Sequence, residues 1–148
     1  MIDYLGNTIK EKDSVVFIVN KRGQEPMMRL GIVQSMGLNS LRVKADGEDY
    51  RVVFSSRSLP DDKMINVFVT HTPHKGVGDY CDFLGQSIHL HDSVLFMEAP
   101  SQGYSTSFVS GKVLKLSNQE VTIAVSASTV QKYMRKPDKV VVNCIQEF

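Results

Sequence analysis

The hydrophobic residues of this chain fall in short runs that have the length of β-strands. Val15-Val16-Phe17-Ile18-Val19 is rich in β-branched side chains, which predicts a strand with apolar groups on both faces. Residues 41–53 instead alternate apolar and polar side chains on either side of Asp46-Gly47. Such alternation around Asp-Gly is typical of a β-hairpin with a tight turn. The pattern therefore favours antiparallel β-structure.

The same pattern occurs twice along the 148 residues. Residues 3–17 read DYLGNTIKEKDSVVF and residues 82–96 read DFLGQSIHLHDSVLF, with eight of the fifteen positions identical. A second strand with an internal glycine follows in each copy, at Gly31 and Gly111, and a third strand follows that. A repeat of this length indicates a duplicated unit. We expect one domain at residues 1–70, a linker at 71–80 and a second domain at 81–148.

Each copy has four or five short strands, which predicts a small antiparallel barrel. A glycine within a strand marks a bend or a close backbone approach, as such a barrel requires. Near the end of the second copy, Ser128 and Gln131 have the spacing of a capping box, and Pro137 would end the segment. This spacing predicts a helix of about two turns there. The expected fold is all-β: two tandem barrels, each with a short helical turn before its last strand.

Composition is that of a globular protein, with 42% hydrophobic and 22% charged residues and no tryptophan. The N-terminal residues MIDYLG lack the basic and apolar regions of a secretion signal, so we expect a cytoplasmic location. Reduced thiols are then favoured over a disulfide for Cys81 and Cys144. The formal net charge is +1, so bulk charge does not indicate a nucleic-acid-binding protein. Any such surface must come from the local arrangement of charges.

The hairpin of the first copy supplies a candidate surface. Its alternation places Leu41, Val43, Tyr50 and Val52 on one face, and Arg42, Lys44 and Arg51 on the other. The length of the turn allows two registers, and either sets like charges opposite each other, Arg42 with Arg51 or Lys44 with Arg51. Such a pair is unfavourable unless an anion or a carboxylate lies nearby. Lys21, Arg22 and Arg57 belong to the same copy. These six cations form either a strip that contacts phosphates or an ordinary solvated face.

The second copy has a different set of cations. Lys132, Arg135 and Lys136 have the spacing of one edge of the predicted helix, and Val130, Tyr133 and Met134 would form its apolar stripe. This basic edge would contact phosphate, with Lys112, Lys115 and Lys139 as additions, or would simply be solvated. The third strand of this copy turns Thr122, Ala124 and Ser126 outward instead of cations.

Catalytic and metal-binding signatures are weak. His71, His74, His89 and His91 cluster around Cys81, which permits a metal site. However, the first two histidines read as linker and the other two lie in the variable part of the repeat. We find no nucleophile motif and no glycine-rich phosphate loop followed by a helix. We therefore expect a non-enzymatic protein without metal or cofactor.

The order Asp-x-Val, loop, Gly-x-Val and a further alternating strand resembles the KOW motif of SH3-like and Tudor-like barrels, with Gly31 and Gly111 at the position of the motif's glycine. In size and domain type the chain is also similar to the MotB family of phage DNA-binding transcription modifiers. The resemblance implies a protein that binds nucleic acid, DNA rather than RNA, through phosphates and with low sequence specificity. Such a protein would modulate transcription or nucleoid organisation in a host cell. The alternative is a protein–protein adaptor that engages transcription machinery or a host factor.

Overall fold

The computed structural model describes residues 2–20, 23, 25–37, 40–53, 66–70, 80–98, 106–125 and 131–143. Their regular elements are ten β-strands and one 3₁₀ turn. The chain divides into two compact units, and each is built on one five-stranded antiparallel sheet, although Ser107 and Phe108 of the second sheet group with the first unit. The prediction of an all-β fold with two tandem units is confirmed, whereas the exact domain limits stay a prediction. The described residues include no helix with the length and hydropathy of a membrane span.

The first sheet has the strand order β4-β3-β2-β1-β5. Its strands are β1 (Ser14–Val19), β2 (Met27–Met36), β3 (Ser40–Ala45), β4 (Glu48–Val53) and β5 (Val67–Val69). Consecutive strands from β1 to β4 pair antiparallel, and β5 returns to pair with the other edge of β1. This arrangement agrees with a small β-barrel.

The second sheet repeats this topology, with the order β10-β6-β7-β8-β9. Its strands are β6 (Ser93–Glu98), β7 (Ser107–Ser117), β8 (Glu120–Val125), β9 (Gln131–Arg135) and β10 (Val140–Val142). The β2–β3 pairing shifts register between Val33 and Ser35, and the β7–β8 pairing shifts between Val113 and Lys115. The two units therefore share topology and also the position of their β-bulge.

A buried aspartate organises the turn at the start of each unit. Asp3 is 0% exposed, and its Oδ1 accepts hydrogen bonds from the backbone N–H groups of Leu5 at 2.9 Å and Asn7 at 2.7 Å. Its Oδ2 accepts a third, from Val69 N–H of β5 at 2.7 Å. The glycine of this turn, Gly6, has φ +88°, which an L side chain rarely adopts. The carboxylate thus ties the entry turn to the last strand.

Asp82 makes the same three contacts in the second unit. It accepts hydrogen bonds from Leu84 N–H at 2.9 Å, Gln86 N–H at 2.7 Å and Val142 N–H of β10 at 2.7 Å. A fourth hydrogen bond comes from the side-chain Nε2 of Gln86 at 2.9 Å. The repeated Asp-x-Leu-Gly sequence is therefore a repeated structural element, in which a buried charge is satisfied by hydrogen bonds.

Each sheet packs one face into the core of its unit, and β1 also buries Val16 and Ile18 on its other face, as predicted for this run. In the first unit Phe17 is fully buried and packs against Tyr50, with 5.4 Å between the ring centroids. In the second unit Phe96 and Tyr133 form the equivalent pair at 5.2 Å. The remaining buried core residues are contributed mainly by alternate strand positions: Val15, Val33, Leu41, Val43 and Val52 in the first unit, and Val94, Val113, Val121, Ile123 and Val140 in the second.

The strand glycines are required by close packing between strands. A Cβ atom on Gly31 would lie 2.6 Å from Cγ1 of Val43 and 2.8 Å from the carbonyl oxygen of Lys44. On Gly111 it would overlap Cγ2 of Ile123. The prediction of a close backbone approach at these glycines is confirmed, although the bulges lie two to three residues further along.

The predicted two-turn helix near Ser128 is wrong. Gln131–Arg135 is strand β9, which pairs with β8 along its whole length. A 3₁₀ turn at Pro137–Lys139 comes directly before the last strand, β10, so a short helical turn does occupy the predicted place in the second unit. The corresponding segment of the first unit lies outside the described residues. The exposed edge of β8 needs hydrogen-bond partners, and this need outweighs the local capping signal.

Candidate nucleic-acid interface

The β3–β4 hairpin fixes the geometry of the first candidate surface. Its turn consists of Asp46 and Gly47, with φ +51° and +79°, which are the positive angles of a two-residue hairpin turn. The resulting register places Arg42 opposite Arg51 and Lys44 opposite Asp49. The predicted sidedness is thus confirmed, and the structure selects one of the two registers that the sequence allowed.

All three hairpin cations, Arg42, Lys44 and Arg51, are exposed on the outer face. On the neighbouring strand β2, Ser35 lies opposite Arg42 and Ile32 lies opposite Lys44. Two of the apolar side chains on or next to this face are unusually open to solvent, since Ile32 is 48% exposed and Val53 is 54% exposed. We call this surface, formed by β2, β3 and β4, the first outer face.

The Arg42–Arg51 pair is electrostatically unfavourable by itself. Directly opposed like charges destabilise an antiparallel pair by a few tenths of a kcal/mol or more. Within the described part of the chain, neither guanidinium forms an ion pair, and Asp49 lies opposite Lys44. An anion that bound between the two arginines would relieve their repulsion. The first outer face is therefore better suited to an anionic ligand than a face with paired charges.

Tyr50 belongs to the opposite side of the hairpin. Its ring packs against Phe17, and its hydroxyl donates a hydrogen bond to Glu48 Oε2 at 2.7 Å. This hydrogen bond to a carboxylate raises the pKa of Tyr50 above its ordinary value of 10.0, and burial and the negative charge of Glu48 raise it further. The expectation that Tyr50 packs on the core side, and so does not stack on bases, agrees with this placement.

The second unit has a basic surface on the equivalent three strands. Lys112 of β7 and Lys132 of β9 both lie opposite Ala124 of β8. One step along the sheet, Lys115 of β7 lies opposite Thr122 of β8. Residues opposite each other across a sheet share a face, so all three lysines lie on one side. We call this surface, formed by β7, β8 and β9, the second outer face.

Sequence reasoning missed this face because it placed Lys132 on a helix. The repeat itself could have indicated that this segment is a strand. Tyr133 of β9 corresponds to Tyr50 of β4, so Lys132 corresponds to the outward-facing Asp49. The outward positions of β8, Thr122 and Ala124, were predicted correctly, but the cations come from the two flanking strands. The sequence therefore predicted a basic surface in this unit but placed it on a helix rather than across the sheet.

Arg135 is placed differently from the other predicted contacts. It lies opposite Val121 of the core, and its guanidinium lies over the rings of Phe96 at 5.1 Å and Tyr133 at 5.4 Å. Its Nη2 donates to Glu98, so the guanidinium is held by both a carboxylate and aromatic rings. Arg135 thus has a structural role, and we leave it out of the proposed interface.

The remaining predicted residues are distributed as follows. Lys136 is exposed and follows β9, whereas Lys21, Arg22 and Arg57 lie outside the described residues. His89 and His91 are exposed, and His71 and His74 again fall outside the described part. The described residues bring together no group of three potential metal ligands. The state of the thiols stays a prediction, because Cys144 is outside the described residues.

Comparison with known proteins gives one family match. Residues 80–143 match a family model described as a domain of unknown function, DUF7205. The matched segment contains all five strands of the second unit, β6 to β10. A search of curated proteins found no significant match. The family model therefore covers the sheet of the second unit, and its description names no activity.

Proposed function

We propose that this chain is a non-enzymatic protein that binds nucleic acid, mainly duplex DNA, through phosphate contacts of low sequence specificity. By this binding it would modulate transcription or nucleoid organisation. The observation that carries the proposal is the opposed pair Arg42 and Arg51, exposed and without a carboxylate partner in the described part of the chain. The resemblance to KOW-type barrels and to the MotB family supports the same function.

Phosphate binding follows from the chemistry of this face. Arginine presents several N–H donors in a planar group that matches phosphate oxygens. Contacts to phosphates position a protein on DNA but read no sequence directly. Each contact releases condensed counterions, so binding weakens steeply as salt rises. A chain with a formal net charge of +1 can still bind in this way, because Arg42, Lys44 and Arg51 lie together on the first outer face.

A protein–protein adaptor is the second candidate. The exposed apolar side chains on the first unit, including Leu30 at 42%, Ile32 at 48% and Val53 at 54%, favour this alternative. Apolar residues that are rimmed by charged ones are common in protein interfaces. In that case the partner would be a component of the transcription machinery or a host protein with an acidic surface.

A binding titration with a fluorescent 30-base-pair duplex separates the two candidates. We expect the wild type to bind at 50 mM salt and to lose affinity by orders of magnitude at 200 mM. Arg42→Ala with Arg51→Ala should weaken binding equally for unrelated sequences and lower the salt slope by about 1.8, because two phosphate contacts are lost. A duplex RNA of the same sequence, used as competitor, tests the preference for DNA.

The matched control is Lys10→Ala with Lys12→Gly. Both lysines are exposed and lie in the turn before β1, outside the strands β3 and β4 that carry Arg42 and Arg51. Lys12 has φ +70°, which glycine adopts without strain. This control also removes two positive charges, so it separates the effect of their position from that of net charge. A wild type that fails to bind duplex at 50 mM salt would refute the nucleic-acid proposal and leave the adaptor.

A further inference from the structure

The second outer face differs from the first in how its cations are arranged. On the first face the central strand β3 carries two of them, Arg42 and Lys44. On the second face the central strand β8 carries Glu120, Thr122 and Ala124, and the cations lie on the strands at either side. The small side chains of Thr122 and Ala124 form a shallow floor, with Lys112 and Lys115 on one side and Lys132 and the exposed Met134 on the other.

The dimensions of this floor suit a phosphate group. Strands in a sheet lie about 4.8 Å apart, so Lys112 and Lys132, one strand to either side of Ala124, have backbones about 10 Å apart. Each lysine stem extends roughly 6 Å, which allows both ammonium groups to lean over the methyl group of Ala124 toward one anion. A larger residue at position 124 would occupy that space.

The electrostatic setting also favours an anion. Lys112, Lys115 and Lys132 are all exposed, and none forms an ion pair within the described segments. Of the acidic residues nearby, Glu98 is already paired with Arg135, and Glu120 lies at the end of β8 opposite Ser117, so three lysines face one unpaired carboxylate of the described strands. Lys115 lies opposite Thr122, whose hydroxyl can donate a further hydrogen bond to a phosphate oxygen.

We infer that the second outer face is a separate phosphate-binding site for nucleic acid, in which Lys112 and Lys132 hold one phosphodiester group above Ala124 and Lys115 contacts a neighbouring one. This inference rests on the proposed function, and it extends that function by giving the chain two independent binding faces. A duplex that contacts both faces makes more phosphate contacts than one face provides, so its affinity and salt dependence are higher.

The test compares double variants of the full chain with the same 30-base-pair duplex. Lys112→Ala with Lys132→Ala should lower the salt slope by about 0.9, because the pair holds one phosphate, and should lower the affinity at 50 mM salt by more than about ten-fold. The control Lys10→Ala with Lys12→Gly should leave the salt slope unchanged. Ala124→Leu keeps all charges but fills the floor, so it should also weaken binding. If Lys112→Ala with Lys132→Ala fails to fold by circular dichroism, Lys112→Gln with Lys132→Gln replaces it.

The outcomes distinguish this inference from the proposed function. If the Lys112 and Lys132 variant binds like the control while the Arg42 and Arg51 variant is weakened, the second face is merely solvated and the inference is wrong. If both double variants bind more weakly, and a variant that combines all four substitutions loses more affinity than either, two binding faces are established. A wild type that binds no duplex at 50 mM salt overturns the inference together with the proposed function.

Discussion

Asparagine in place of Asp3 tests the buried carboxylate that closes the first unit. The substitution keeps the shape of the side chain but turns one oxygen into an NH₂ donor. If the remaining oxygen stays with the N–H groups of Leu5 and Asn7, the new NH₂ group faces Val69 N–H, so two donors meet. One backbone N–H beside a fully buried side chain is then left without an acceptor.

The expected loss of stability follows from these three bonds. An unsatisfied buried donor costs about 1–3 kcal/mol. The two retained hydrogen bonds lose their charge assistance, which costs about 1 kcal/mol each. The sum is about 4 kcal/mol, a large part of the 5–15 kcal/mol that typically stabilises a folded domain.

Urea denaturation at pH 7, followed by far-UV circular dichroism, measures this loss. Hydrogen exchange adds a local readout, since the amides of Leu5, Asn7 and Val69 should lose protection first. Asp49→Asn is the control, because that carboxylate is exposed and its removal should change stability by less than about 0.5 kcal/mol. An Asp3→Asn protein as stable as this control would refute the assigned role of the carboxylate.

Two further predictions concern the first sheet. Gly31→Ala should destabilise the first unit by about 2–3 kcal/mol in urea denaturation, because the new methyl group meets Val43 and the backbone of Lys44, which cannot move aside; an effect below 0.5 kcal/mol would contradict the close approach. Glu48→Gln should lower the pKa of Tyr50, measured from absorbance at 295 nm against Tyr50→Phe. Since the raised pKa marks a stabilised neutral phenol, this contribution to stability is present below pH 10.0 and disappears as pH rises through the folded-state value.

Because the sequence repeats, much of the fold could be predicted from it. Asp13 and Asp92 precede strand-forming runs, and each carboxylate accepts a backbone N–H within its turn, at 2.8 Å from Lys10 and from His89. Gly31 and Gly111 similarly indicated close strand packing. These features are local, or occur twice, so periodicity and residue type were sufficient to find them.

The segment that forms β9, predicted to be a helix, shows where local sequence signals fail. The spacing of Ser128, Gln131 and Pro137 favours a helix, and a run of a few residues can adopt either conformation. Strand β9 forms there because β8 supplies a complete set of hydrogen-bond partners. Arg135 reads as a surface cation, yet Glu98 and the rings of Phe96 and Tyr133 make an inward position favourable.

By itself, the sequence determined the tandem β-architecture and the side of the hairpin on which Arg42, Lys44 and Arg51 lie, because alternation along a strand fixes its two faces. Only the tertiary structure decided that Arg42 lies opposite Arg51 and that Lys112 and Lys132 flank Ala124. Register and strand order join residues that are distant in the chain, and pairing between strands, rather than local preference, sets which charges become neighbours.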